Sequence, residues 1–377
     1  MVNDIITFVI ILVLGLLVLN YSKNKHLPYG LFLLLIGISL GNFLQLTLPE
    51  RFISIAAVLA AIMVVFDLAE KSKWRHMDST SAEAASMSLV LLVASLIVVP
   101  LAMTFVLHIP FSLPTLLILF MMVFFLCETS SSDLVLHPYK ILGKVQSLLE
   151  QESSIMPPFL ILIPLILLGS FDGIVTLPLT ELLILLFVSV SLSLGIGIIM
   201  GVLGVRYVKK THKHVSLVLL CMALLTFLLA ERIGGNGLLS VMAFGFFFGN
   251  VYLKRTYQLE SFSPLLSQLL EIIVFVMLGM MIPLPSIKEV ATALALFLLF
   301  TLLRYAVVSF YHKLPIKEKW YFALHAPKGS ITIIILVLFI LVFRFHLFIP
   351  AILSTFSVMF WIICFSLFST WITGKKS

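Results

Sequence analysis

Long apolar runs recur along the whole chain, and they limit the folds open to it more than any other feature of the sequence. Of the 377 residues, 61% are hydrophobic and only 11% are charged, which gives a mean hydropathy of +1.20. A run of about 18 apolar residues or more can cross a hydrocarbon core of ~30 Å as a helix. Because the bilayer core offers no water to backbone N–H and C=O groups, a helix satisfies them internally. The sequence therefore predicts an all-α, multi-pass membrane protein with no sizeable soluble domain.

The distribution of basic residues between the apolar runs tests how many of them cross the membrane. With the N-terminus outside, the inner loops and tail carry 18 of the 24 lysines and arginines, and the outer loops carry four. This asymmetry follows the positive-inside rule, and adding or removing one helix would destroy it. We predict a cell-membrane protein with its N-terminus outside, its C-terminus in the cytoplasm and thirteen segments, at 4–22, 28–48, 52–70, 84–107, 113–142, 146–169, 180–207, 214–233, 237–252, 263–282, 288–311, 317–343 and 347–373.

Several functional classes are disfavoured by what the chain contains. The net charge of +7 lies mostly in short loops and does not indicate a nucleic-acid partner. The cysteines, Cys127, Cys221 and Cys364, lie in or beside apolar segments without metal-ligand spacing. A Gly-rich phosphate loop and a nucleophile elbow are both absent from the sequence. We therefore expect neither an enzyme nor a resident cofactor or metal.

Two of the apolar segments are interrupted by polar residues. The fifth is broken at 128–133 (Glu-Thr-Ser-Ser-Ser-Asp) and the twelfth at 325–330 (His-Ala-Pro-Lys-Gly-Ser). Transporters built from two inverted repeats often carry one broken helix in each repeat, near the middle of the membrane. If the seventh segment, about 180–207, is a linker, both breaks fall in the fifth helix of a repeat. We predict one transporter domain with repeats at about 1–170 and 214–377; short re-entrant loops at the two breaks are the alternative.

Two cations lie within apolar segments, where a charge is costly and indicates function by default. Arg304 is near the predicted inner end of its helix, where its side chain could reach the membrane surface. Lys328 lies in the second break and could neutralise the partial negative charge at the C-terminal end of a half-helix. Asp133 in the first break would suit the positive end of a half-helix or a bound cation.

Ordered motifs along the chain resemble those of the sodium/proton exchanger branch of the monovalent cation/proton antiporter superfamily, particularly its short archaeal-type members. Glu150–Ser153 resembles the Glu-Gly-Glu-Ser start of the family's sixth helix, and Ser132-Asp133 resembles the Thr-Asp of its fifth. Ala326–Ser330 resembles the Gly-x-Arg-Gly-Ala of its twelfth, and Phe275–Gly279 resembles a Phe-x-x-x-Gly segment. The resemblance implies Na⁺ or K⁺ and H⁺ as substrates and a homodimer. It also implies a structural charge pair between Glu152 and Lys328.

The chain departs from this pattern where the family binds its ion. Met156-Pro157 stand where the resemblance would place an Asn-Asp pair. An antiporter needs a carboxylate that exchanges a proton for a cation, and Asp133 is the first candidate, with helix capping as the alternative. Oxygen ligands suited to a hard cation could come from Ser132, Thr129 and Ser153. Asp67 is a further candidate, or an acid that reaches the membrane surface.

We interpret the chain as a secondary transporter that exchanges a monovalent cation for protons by alternating access. Two alternatives remain open at this stage. The chain could be a divergent member that regulates or leaks without coupled exchange, since the acid expected at 157 is a proline. It could also be an organic-anion symporter on a similar inverted-repeat plan, because half-helix N-termini and Lys328 would suit an anion.

Overall fold

The computed structural model describes residues 2–25, 29–46, 48–71, 79–107, 179–211, 215–252, 262–325 and 350–375, with shorter helical pieces within 119–127, 145–152 and 332–340. The described part of the chain is helical, and the connections between its helices are short turns and extended residues. The helices are α1 (Val2–Lys25), α2 (Tyr29–Ile38, continued by a π turn at Ser39–Phe43), α3 (Glu50–Lys71), α4 (Ser79–Leu107), α5 (Leu179–Thr211), α6 (Val215–Ile233), α7 (Gly237–Tyr252), α8 (Phe262–Met281), α9 (Ile287–Tyr311), α10 (Ile316–Leu324) and α11 (Pro350–Lys375).

These helices follow the predicted segments closely. The largest difference in a helix start is at α4, which begins at Ser79 rather than at 84. Four of the described helices, α3, α4, α5 and α9, are long and apolar enough to cross a membrane by length and composition. The agreement arises because uninterrupted apolar length and flanking charge are local properties of the sequence.

Local signals at the start of α9 explain why it begins there. Ser286 precedes the first helical residue, and its hydroxyl accepts the backbone N–H of Glu289 at 3.3 Å. The Glu289 carboxylate accepts the backbone N–H of Ser286 in return, at 3.1 Å. This reciprocal capping box satisfies two N–H groups that the helix itself cannot. The hydroxyl of Ser357 on α11 also donates to Glu289, at 3.0 Å, and ties this end of α9 to its neighbour.

The first of two compact units contains residues 1–54, 77–160 and 272–377. Within it, α9 packs against α4, α10 and α11. The end of α2 crosses α8 at glycines, since a Cβ placed on Gly37 would meet the Val276 carbonyl oxygen and would lie 2.8 Å from the Cα of Gly279. Asn42 then bridges the two helices by donating to the Ile282 carbonyl at 3.0 Å and accepting the Leu284 N–H at 3.2 Å. Small residues allow the backbones to approach, and the amide side chain fixes the crossing.

The second unit contains residues 55–76 and 161–271, and its centre is α7. Gly201 and Gly204 on α5 lie against the rings of Phe247 and Phe244 on α7. On the other side of α7, a Cβ on Gly245 would lie 2.8 Å from the Phe66 carbonyl oxygen of α3. The unit is therefore held by close helix packing at small residues, which is the usual arrangement where lipid provides no hydrophobic driving force between helices.

Candidate functional site

A buried ion pair joins two parts of the first unit that lie far apart in the sequence. Nη1 of Arg304 is 2.6 Å from Oε1 of Glu152, and Nη2 is 2.9 Å from Oε2. The two side chains are 0% and 1% exposed. Two parallel N–H···O bonds between a guanidinium and a carboxylate form the strongest and most directional type of charge-assisted contact. Each side chain thus neutralises the charge of the other within the apolar surroundings.

The depth of Arg304 explains why it needs this partner. It lies on α9 seven residues before the helix ends at Tyr311, which corresponds to about 10 Å along the axis. At that depth the guanidinium stays buried instead of reaching the membrane surface. The prediction that Arg304 extends to the inner surface is therefore wrong. A charge held inside the membrane is expensive unless it is paired, and Glu152 supplies the opposite charge.

Arg304 also contacts the C-terminal end of α10. Its Nη2 donates to the Phe322 carbonyl in a long contact of 3.4 Å, and its Cζ lies 4.7 Å from the centre of the Phe322 ring. The last carbonyls of a helix lack partners within the helix and carry partial negative charge. A cation at this position is favourable for both reasons. Arg304 therefore neutralises the partial negative charge at the C-terminal end of α10.

A hydroxyl and a histidine complete the end of α10. Ser369 on α11 donates to the Leu324 carbonyl at 3.1 Å. His325 follows the last helical residue, and its backbone N–H donates to the Tyr321 carbonyl at 2.9 Å. The imidazole is 2% exposed and stacks on the Tyr321 ring, with centroids 5.0 Å apart. The backbone carbonyls of residues 321, 322 and 324 thus each accept a hydrogen bond. The end of α10 can therefore be buried without leaving these three acceptors unsatisfied.

The helical pieces beside the two predicted breaks lie together. Met122 and Leu126, shortly before the break at 128–133, line one small cavity with Thr332 and Leu336, shortly after the break at 325–330. The cavity has a volume of about 10 Å³ and is also lined by residues of α11. It holds about one water molecule at most. The described pieces of the fifth and twelfth segments are therefore neighbours within the first unit.

The sequence profile of the family described as sodium/hydrogen exchanger, transmembrane, matches residues 8–375. The chain belongs to the sodium/hydrogen exchanger family. This family consists of membrane antiporters rather than enzymes, so the prediction that the chain is not an enzyme is confirmed. Among curated proteins, none matches the chain by sequence.

Solved structures of an archaeal exchanger have the same fold. The sodium proton antiporter MjNhaP1 from Methanocaldococcus jannaschii at pH 8 aligns with a TM-score of 0.77 and 22% identity, over 99% of this chain and 95% of that one. An electron-microscopy structure of the same antiporter aligns with a TM-score of 0.74 and 21% identity, over 99% and 94%. These matches confirm an all-helical, multi-span membrane fold of about thirteen helices.

Most of the predicted ion-site residues of this exchanger-family chain lie outside the described residues. They are Thr129, Ser132, Asp133, Ser153 and Lys328. Asp67 is described on α3, half-buried in the second unit. Glu152 is described, and it pairs with Arg304. The contact of Lys328 itself with Glu152 stays a prediction.

Sequence reasoning left three residues that meet at the end of α10 out of the predicted site. Arg304 carried a usable signal, because two helical turns follow it before the chain leaves the apolar segment. His325 was noticed only as part of the break, and its burial depends on tertiary packing. Ser369 carried no signal, since one serine in an apolar helix more often bonds within its own helix.

Proposed function

We propose that the chain exchanges Na⁺ or K⁺ for H⁺ across the membrane by alternating access. The observation that carries this proposal is the Glu152–Arg304 pair at the buried end of α10, in a member of the sodium/hydrogen exchanger family. A helix of nine residues is about 14 Å long, roughly half of the hydrocarbon thickness. A short helix that ends on a buried charge pair is the kind of element around which transporters form ion sites.

The broken-helix arrangement belongs to the same proposal. The fifth and twelfth segments would each be interrupted near the membrane centre, within inverted repeats of about 1–170 and 214–377 joined by α5. Their adjacency around Met122, Leu126, Thr332 and Leu336 supports a crossing of the two segments. Each interruption exposes backbone dipoles, and these are tolerated only where protein or water satisfies them.

Asp133 is proposed as the carboxylate that binds a proton in one state and a cation in the other. Glu152 is a poor candidate for that task, because both of its oxygens already accept hydrogen bonds from Arg304. The hydroxyls of Thr129 and Ser132, together with Ser153, would complete an oxygen site for the cation. Asp67 would assist as a second acid, and Lys328 would balance negative charge at the crossing.

Exchange follows from competition for one carboxylate. When Asp133 binds a proton it loses its charge and releases the cation, and when it releases the proton it can bind a cation again. If the site opens to one side at a time, a proton gradient then drives the cation in the opposite direction. The proposed orientation has the N-terminus outside and the C-terminus in the cytoplasm.

A homodimer is proposed as the assembly, by resemblance to the family. The first half of α5 fits this proposal because its apolar side chains face away from the rest of the chain. Leu183, Ile184 and Phe187 are 56%, 64% and 74% exposed. A second copy would cover such a surface, and so would lipid.

A second function is favoured by Met156-Pro157. If these residues occupy the positions of the family's ion-binding pair, the usual exchanging acid is absent, and the chain could regulate or leak without coupled exchange. Measured flux separates the two proposals. Only an exchanger moves a cation in response to a pH gradient.

The test uses purified protein in sealed proteoliposomes, with Na⁺, K⁺ and Li⁺ uptake driven by an imposed pH gradient. We expect flux for at least one cation, and its loss in Asp133→Asn, because the amide retains the shape but cannot exchange a proton. Asp172→Asn, in a predicted outer loop, removes the same charge and should leave flux unchanged. Undiminished flux in Asp133→Asn would refute the assignment of the acid, and no flux for any alkali cation would favour the non-exchanging alternative. The double substitution Met156→Asn with Pro157→Asp should raise cation affinity if the rest of the site is intact.

A further inference from the structure

One face of α5 carries a row of exposed apolar side chains, and three basic residues follow it at the C-terminal end of the helix. Ile199 and Leu203 are 61% and 46% exposed, and Arg206, Lys209 and Lys210 follow as exposed residues near the helix end at Thr211. Spacings of four, three and four residues place 199, 203, 206 and 210 along one side of the helix. Lys209 lies about one turn after Arg206 and adds a third positive charge to the same end of the helix.

The packing of α5 within the second unit leaves this face uncovered. The opposite face carries Gly197, Gly201 and Gly204, and α7 packs directly against these glycines. On the uncovered face, a Cβ added to Gly195 would meet nothing within 4 Å. Gly195, one turn before Ile199, therefore leaves a shallow, open space in line with the apolar side chains.

The three cations form no ion pair with any residue in the part of the chain that the structure describes. Like charges three or four residues apart on a helix repel one another. A multiply hydrogen-bonding anion placed between them would relieve this repulsion. Tyr207, 49% exposed beside them, is a side chain that favours the boundary between lipid tails and headgroups.

We propose that this face is a binding site for an anionic phospholipid. The headgroup phosphate lies between Arg206, Lys209 and Lys210, and an acyl chain lies along Gly195, Ile199 and Leu203. The apolar half of the face selects a lipid over a free phosphate ion, which would contact only the cations. A second copy of the chain fits less well, because a two-fold interface on this face would bring the same cations against each other. The proposal does not depend on cation exchange.

The test measures lipid binding to the intact, detergent-purified protein by native mass spectrometry and by the shift of its thermal unfolding temperature. The probes are phosphatidylglycerol, phosphatidylcholine with matched chains, and soluble glycerol phosphate. The variant is Arg206→Gln, Lys209→Gln and Lys210→Gln combined. The matched control, Arg51→Gln, Arg232→Gln and Lys288→Gln combined, removes three exposed cations elsewhere. A single Arg206→Gln provides a milder variant should the triple one fold poorly.

We expect phosphatidylglycerol to bind the unmodified protein and the control alike, and to stabilise both. Each cation removed at the site should weaken its binding about fivefold, from ~1 kcal/mol per basic residue at a lipid surface. Equal binding of phosphatidylcholine, or equal loss in the control, would overturn the proposal. So would binding of glycerol phosphate as tight as that of the lipid. A change in oligomeric state without a change in lipid binding would assign the face to a second copy instead.

Discussion

At the scale of single residues, a buried arginine and a buried glutamate form the centre of the described site. Arg304 and Glu152 replace, for each other, the hydrogen bonds to water that burial removes. The Phe322 carbonyl accepts a further hydrogen bond from Arg304. Such a pair adds little net stability compared with well-packed apolar residues, but the loss of one partner leaves an uncompensated buried charge. The pair is therefore best understood as a structural constraint between α9, the end of α10 and the sixth segment.

This constraint gives a prediction about stability. Arg304→Met should destabilise the protein by about 3–5 kcal/mol, because the Glu152 carboxylate would stay buried without a partner. Glu152→Gln should also destabilise it, and the double variant should lose much less than the sum. Chemical unfolding in detergent measures all three, with Lys288→Met as a control at an exposed cation. Additive losses would mean that the two residues do not interact in the folded protein.

The same comparison of single and double variants can be made for Lys328, the predicted partner of Glu152. Lys328→Ala combined with Glu152→Gln would show strong coupling only if the lysine also interacts with the carboxylate. Coupling for Arg304 without coupling for Lys328 would assign the pair to α9 alone.

At the scale of elements, helices meet where glycines remove the side chains between them. The crossing of α2 and α8 at Gly37 and Gly279 is one such approach, and the Asn42 amide bridges the same two helices. A backbone carbonyl cannot rotate away as a side chain can, so a methyl group at Gly37 would have to separate the helices.

Two glycine substitutions test this explanation with the same chemical change. Gly37→Ala should destabilise the protein by about 1–3 kcal/mol, because the new methyl group would collide with the Val276 carbonyl. Gly195→Ala, at an open helical position, should be neutral or stabilising by up to about 1 kcal/mol, since alanine favours the helix. Thermal unfolding of both in the same detergent is the measurement. Equal effects at the two sites would contradict the close crossing.

At the scale of the whole molecule, loop charge orients the helices in the membrane. The 18 basic residues of the predicted inner loops and the four of the outer loops leave one orientation favoured. The cations at the end of α5 belong to the inner set, so the proposed lipid would lie in the cytoplasmic leaflet.

Cysteine labelling tests this orientation. In a background without Cys127, Cys221 and Cys364, Lys209→Cys should react with a membrane-impermeant reagent only after the cells are opened. Asp172→Cys should react in intact cells. Labelling of both from the same side would contradict the helix count between them.

The amino-acid sequence by itself determined the class of fold, the number of segments and most helix bounds. These depend on the length of apolar runs, on caps such as Ser286 and Glu289, and on charge at the ends, all of which are read within a few residues. Tertiary structure decided that Arg304 pairs with Glu152. Arg304 is 152 residues away, and no local pattern in the sequence joins the two. Whether Arg304 meets the carboxylate depends on the depth and rotation of α9 against α10, and those are set by packing along whole helices.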